Sequence, residues 1–247
     1  MVNHAAMKLG RRRAFVNPRL PLLREMVTGS VPVMGRQDWF SKVATWPMLM
    51  NDQIGDCTCA AVAHVIQQWT AYTDPSPIVM SDKETISLYS AVSDYPANDS
   101  GAVCQDVLEY WRLTGAPTPD GGPDTLDAYV YVHPADRATV RLAITRFANL
   151  YAGIALPLSA QTEEVWTSTY DTPGDWGGHC VPLVGYTEVG PVCVTWGALK
   201  QMTWAWWERY AEESYALLSR DWVKANDNSP GDINWSALQT ALNQLAA

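Results

Sequence analysis

The stretch from Asn51 to Ala63 constrains this chain more than any other. A Gly55-Asp56 turn hands the backbone to apolar residues at helical spacing, Ala60, Ala61, Val65, Ile66 and Trp69, which predicts a helix to about Tyr72. Asp56 reads as its N-cap and Cys57 as its first residue. A thiol at that position lies among unpaired N–H groups whose partial positive charge favours thiolate, and a thiolate is the nucleophilic form of cysteine. The plainer alternative is that Cys57 is a small buried apolar residue, the common fate of a free cysteine.

The remaining cysteines, Cys59, Cys104, Cys180 and Cys193, are scattered and make an odd total of five, which argues against a disulfide framework. Cys57 and Cys59 stand two apart on the predicted helix and point to different faces, so they do not form a metal pair, and no cofactor motif is found. Residues 1–43 carry eight Lys/Arg against two Asp/Glu, leaving nine against 24 for residues 44–247. A basic arm is thereby joined to an acidic body. It can dock on its own body, on a neighbouring subunit (in a particle, a virion protein) or on a polyanion, while the acidic body argues against nucleic acid as the main ligand. No apolar run is long enough for a membrane span, and the basic N-terminus lacks the apolar core of a secretory signal. The expectation is therefore cytoplasmic synthesis.

Along the chain, Pro18, Pro21, Pro32 and Gly29 make residues 1–43 an extended arm. Ser81 and Glu84 have capping-box spacing and open a second helix, Val103 to Leu113 reads as a third closed by Gly115, and the Pro/Gly-rich residues 116–126 read as a crossing between lobes. Strands are expected over Ala128–Val132, Tyr151–Leu156, His179–Tyr186, Val192–Trp196 and Tyr215–Ser219. Helices are expected over Arg137–Ala148, Ala205–Ala211 and Ile233–Leu245. Trp204, Trp206 and Trp207 read as core rather than as a carbohydrate platform. His64 is two turns from Cys57 and too far to serve as its base, Cys180 should face away from His179, and His4 and His133 belong to no motif.

Five segments in order resemble the papain-like cysteine peptidases: Gly55 to Ala60, Met80 to Lys83, Ser100-Gly101 before Leu108, Tyr110 and Trp111, His179 to Tyr186, and Thr195-Trp196-Gly197. Asn51-Asp52, Gly55 to Thr58, Met202 to Trp204 and Tyr210 to Glu213 are similar, more narrowly, to a divergent group of bacteria and their phages. The resemblance implies an α+β two-lobed fold, with a helical lobe over about 44–120, an antiparallel β lobe over about 121–222, and a tail with a closing helix over 223–247.

It also implies chemistry on a polypeptide substrate. Cys57 would attack the carbonyl as thiolate and His179 would pass the proton to the leaving amine, the two meeting at a solvent-reachable groove. Asn51 or Gln53 would supply the oxyanion amide, and Gly101, Gly178 and Trp196 would line the substrate site, Trp196 also shielding the histidine. The family's histidine-orienting Asn slot is Val194 here, and Thr195 reaches the imidazole only if the strand register shifts. Three functions follow: a cysteine peptidase or amide hydrolase; a structural protein on the same fold, such as a phage virion component with weak or lost catalysis; and, last, an NlpC/P60-type amidase, whose histidine usually follows sooner.

Overall fold

In the computed structural model, which describes residues 4–13, 15–26, 34–225 and 235–245, the chain begins as an arm lying on its own body. The arm contributes β1 (Arg11–Arg12), α1 (Leu23–Met26) and β2 (Gln37–Asp38). Helical segments follow: α2 (Cys57–Thr73), α3 (Asp82–Val92) and α4 (Cys104–Leu113), the last entered through β3 (Ala102–Val103). The Pro/Gly-rich crossing forms a small hairpin, β4 (Ala116–Pro117) with β5 (Pro123–Asp124). Then come β6 (Ala128–Tyr131), α5 (Arg137–Phe147), β7 (Leu150–Leu156), β8 (Gly177–Tyr186), β9 (Pro191–Thr195), β10 (Ala198–Gln201), α6 (Trp204–Tyr210), β11 (Ala211–Leu218), α7 (Arg220–Ala225) and α8 (Trp235–Leu245). The expected start of the last helix, at Ile233, lies outside the described residues.

The main sheet is antiparallel, in the order β10-β9-β8-β7-β11-β6, with β2 joined to the far end of β8. Helix α2 packs on β8. Every residue of α2 from Cys57 to Trp69 is buried, as expected of a helix held between layers rather than on a surface. Its Ala60, Ala61 and Ala63 keep the helix slim enough for that position.

Aromatic and amide donors fasten this centre. The C-terminus of α5 leaves carbonyls without helical partners, and Trp69 Nε1 donates to Phe147 O at 2.9 Å, Trp222 Nε1 to Arg146 O at 2.9 Å, and Gln68 Nε2 to Ala148 O at 3.0 Å. Trp206 and Trp207 are fully buried, in keeping with a core role.

Several elements differ from expectation, two of them strands of the main sheet. The strand expected over Tyr215–Ser219 begins instead at Ala211, because Glu213, which breaks an apolar pattern in sequence, is itself buried and ion-paired. Strand β10 was not expected, since its Lys200 is a charged residue in a buried position; its ammonium donates to Glu163 O at 2.9 Å and Glu164 O at 3.2 Å.

Removing the indole donor in Trp69→Phe should leave the Phe147 carbonyl only its longer bond from Asn149 Nδ2 at 3.3 Å. The expected loss is about 0.5–1.5 kcal/mol of unfolding free energy, measured by urea denaturation.

Candidate active site

Cys57 is the first residue of α2, and the helix starts as the sequence requires: Cys59 N–H donates to Asp56 O at 2.8 Å and Ala60 N–H at 3.0 Å. The side chain of Asp56, however, does not cap the helix. Its backbone is at φ −96° and ψ 14°, away from the extended geometry of a side-chain cap, and its Oδ1 accepts instead from Asn51 Nδ2 at 3.1 Å. Burial raises the Asp56 carboxyl to about pKa 8, opposed by that bond. Asn51 is buried beside it, whereas Gln53 is exposed.

His179 stands near the start of β8. Its Nε2 is 2.8 Å from Thr195 Oγ1, and its Nδ1 is buried with no hydrogen-bond partner among the described residues. The register shift that brings Thr195 to it is explicit. Gly185 pairs with Val192 but Leu183 pairs with Cys193, so one extra residue is taken up in β8 at Val184. Without that bulge, Val194 would share a face with Leu183 and His179. With it, Thr195 faces the imidazole, and Val194 packs on the opposite side with Val184, Val43 and Trp46. Trp196 stacks on the His179 ring at 4.6 Å between centroids and 18° between planes.

The sulfur of Cys57 faces the backbone N–H of Cys180, the residue after His179 on β8, and makes no hydrogen bond to the His179 ring, whose Nδ1 is left without a partner among the described residues. The Cys180 side chain is buried and turned to Cys104, at 3.9 Å between sulfurs.

The groove expected to expose this pair is filled. Cys57 is 1 % exposed and His179 0 %. What lies over them is the arm. A Cβ on Gly10 would fall 1.7 Å from Gly55 O, and one on Gly101 would fall 1.9 Å from Gly10 O. Ala102 N–H donates to Gly10 O at 2.9 Å, and β1 runs parallel to β3 with Arg11 opposite Ala102. On the other wall, a Cβ on Gly178 would meet Arg11 O at 2.4 Å and one on Gly177 would meet Leu9 Cδ1 at 2.8 Å. The flanking glycines are tied together, since Gly55 N–H donates to Asp99 Oδ1 at 2.9 Å, Tyr89 Oη donates to the same oxygen at 2.7 Å, and Gly101 N–H donates to Tyr89 Oη at 2.9 Å. His4 stacks on Trp196 at 5.1 Å, so a residue without any motif joins the site through its ring.

This cover decides the charge state of the pair. Burial pushes the Cys57 thiol up to about 12 despite N–H donors from Cys180 and Gly10, and burial together with the Arg11 charge brings His179 down to about 3. Under the arm the two groups are a neutral thiol and a neutral imidazole. Elsewhere, His64 is buried with Nε2 2.9 Å from Pro47 O and is brought down to about 4 by burial, which suits a core histidine. No group of three or more His, Cys, Asp or Glu among the described residues is placed to hold a metal ion, and no helix among them is long and apolar enough to cross a membrane.

The chain superposes on xylellain, a cysteine protease from Xylella fastidiosa, with a TM-score of 0.68 at 15% identity, over 87% of this chain and 97% of that one. The fold is that of the papain-like cysteine proteases. Procathepsin L 3 of Tenebrio molitor larval midgut matches with a TM-score of 0.61 at 12% identity, covering 87% of this chain and 77% of that chain. Bromelain protease from Ananas comosus, solved in complex with the E64 inhibitor, matches with a TM-score of 0.55 at 12% identity, over 75% and 99%. No family model matches the chain, and no curated protein matches it in sequence.

Gly10→Ala should dislodge the arm without touching the helix or the sheet. In the wild type at pH 7, iodoacetamide should react slowly at Cys57; in Gly10→Ala the rate should rise by about 10-fold or more, read by peptide mass mapping, because each unit of thiol pKa lowered is worth a factor of ten in thiolate. The imidazole gives an independent reading. A histidine depressed when covered resists the proton that the uncovered form accepts, so arm docking should be fully stable above pH 6.5 and weaken progressively as pH falls toward 3. NMR titration should find the His179 ring neutral to about pH 3 in the wild type and titrating nearer 6.5 in Gly10→Ala.

Proposed function

We propose that this protein is a papain-like cysteine peptidase, held latent by its own N-terminal arm. The observation that carries the reading is the cleft itself: a helix-borne thiol and a strand-borne imidazole with an extended peptide already lying between the glycine-rich walls. A site that binds the backbone of the arm has the shape needed to bind another polypeptide.

The chemistry assigned to each group is as follows. Once the arm leaves, water reaches the pair and the proton of Cys57 passes to His179 Nδ1, the nitrogen that has no partner among the described residues. The thiolate adds to the substrate carbonyl, forming a C–S bond and an oxyanion. The Cys57 backbone N–H, at the first position of α2 where no helical carbonyl precedes it, is assigned as one donor to that oxyanion. Asn51 is assigned as the other. Its amide has two N–H bonds; Asp56 takes one, which fixes the plane and leaves the second. Gln53, exposed, is the less favoured donor. The imidazolium then gives its proton to the leaving amine, the C–N bond breaks, and water hydrolyses the thioester. Thr195 is assigned as the group that orients His179, and Trp196 as the shield over it.

A second reading keeps the fold without the chemistry, as in a structural component such as a virion protein. The sealed, neutral Cys57 and His179 favour it, as does an orienting hydroxyl in place of an amide. The two readings separate in the Gly10→Ala background with a broad fluorogenic peptide mixture as substrate. Hydrolysis that disappears in Cys57→Ala and in His179→Ala supports the peptidase. Equal, slow alkylation of all five cysteines with no hydrolysis sinks it. In the same background Thr195→Val should lower kcat by about 10-fold, or about 1.4 kcal/mol of barrier, with KM little changed, since the hydroxyl acts on the histidine and not on the substrate.

A further inference from the structure

We propose that Glu213, with Glu212 at its rim, forms a substrate pocket for a basic side chain, arginine or lysine, which Arg11 of the arm occupies in the latent protein. The proposal rests on the peptidase reading for its substrate, and on the cleft alone for its binding chemistry.

Arg11 directly follows Gly10, whose N–H faces the Cys57 sulfur, so its side chain leaves the arm one residue from the contact with the thiol. Its Nη1 donates to Glu213 Oε1 at 2.9 Å, its Nη2 pairs with Glu212, and Nη2 also reaches Ile154 O at 3.4 Å. The side chains of Arg11 and Glu213 are each 2 % exposed. This is a fitted recess rather than a surface ion pair.

Three features of the body make the recess. Gly153 lies opposite Glu213 across β7 and β11, and a Cβ there would stand 2.6 Å from Arg11 Cδ and 2.7 Å from Glu213 Cγ; only a residue without a side chain leaves the guanidinium its path. Tyr215 Oη donates to Glu213 Oε2 at 2.6 Å and fixes the carboxylate, leaving Oε1 for the ligand. The bulge between Ala211 and Glu213 lets consecutive carboxylates address one cation, Glu213 from within and Glu212 from the rim.

The charge argument is independent of the arm. Glu212 and Glu213 belong to the body and stay when the arm leaves. A buried carboxylate without a counter-charge is costly, so the emptied pocket favours a cation over an apolar side chain of the same size.

Two measurements test this on full-length Arg11→Ala protein. In the first, calorimetry follows binding of the acetylated, amidated peptide Leu-Gly-Arg-Arg and of Leu-Gly-Leu-Arg. The arginine peptide should bind at least about 10-fold more tightly, and the difference should shrink in the Arg11→Ala, Glu213→Gln double variant. In the second, a positional library of fluorogenic tetrapeptide amides should show a preference of about 10-fold or more in kcat/KM for Arg or Lys over Leu at one position, again reduced by Glu213→Gln. Should the double variant fail to fold, the two peptides on Arg11→Ala protein still decide the matter. Equal binding of both peptides overturns the proposal even if Cys57 proves reactive. Selective binding without hydrolysis upholds the pocket and removes only the peptidase reading.

Discussion

The close approach of three backbones at Gly55, Gly10 and Gly101 is the constraint on which the observed state of this molecule depends. A methyl group on Gly10 or Gly101 would collide with a neighbouring backbone, and one on Gly55 would press on the Asp99 carboxylate at 3.0 Å. Because none is there, a strand of only two residues can wedge between a helix start and a loop, where such a short strand would be too weak alone. The Asp99–Tyr89 hydrogen bonds set the spacing of the two body glycines and so the width of the slot.

From that wedge follows the electrostatics. A thiolate–imidazolium pair needs water or fixed dipoles around it, and the arm replaces the water with aliphatic surface and a guanidinium. Both changes act in the same direction on His179: burial and like charge each disfavour the imidazolium. Cys57 keeps its N–H donors, yet desolvation outweighs them. On the proposed reading, the same residues form a reactive pair when wet and an inert one when covered. The proposed role and the sealed geometry are compatible for that reason.

Much of this was legible in the sequence because it rests on local chemistry. The Gly-Asp turn before an alanine-rich helix, the capping box at Ser81, and the glycine pair leading into the apolar strand at His179 each fix an element from its own residues. The bulge at Val184 that exchanges the faces of Thr195 and Val194, five residues beyond His179, has a local sign in the neighbouring Gly185, a glycine inside an apolar strand. What sequence missed was non-local. Glu213 looks like a solvent residue until Arg11, some 200 positions earlier, is laid against it. His4 has no partner within reach of any pattern and finds Trp196 only through the path of the arm. The basic arm on an acidic body did signal self-docking, but net charge says where an arm is attracted, not into which groove it is threaded.

The arm and the cleft share one covalent chain, and this gives the Gly10–Arg12 segment a kinetic meaning. A tethered occupant is present at an effective concentration on the order of millimolar for a short flexible connection, whatever the dilution of the protein. A free peptide of equal intrinsic affinity would have to reach that level to displace it half the time. Scarce partners are thus excluded by mass action, while severing the tether would convert a permanent neighbour into a competitor that diffuses away.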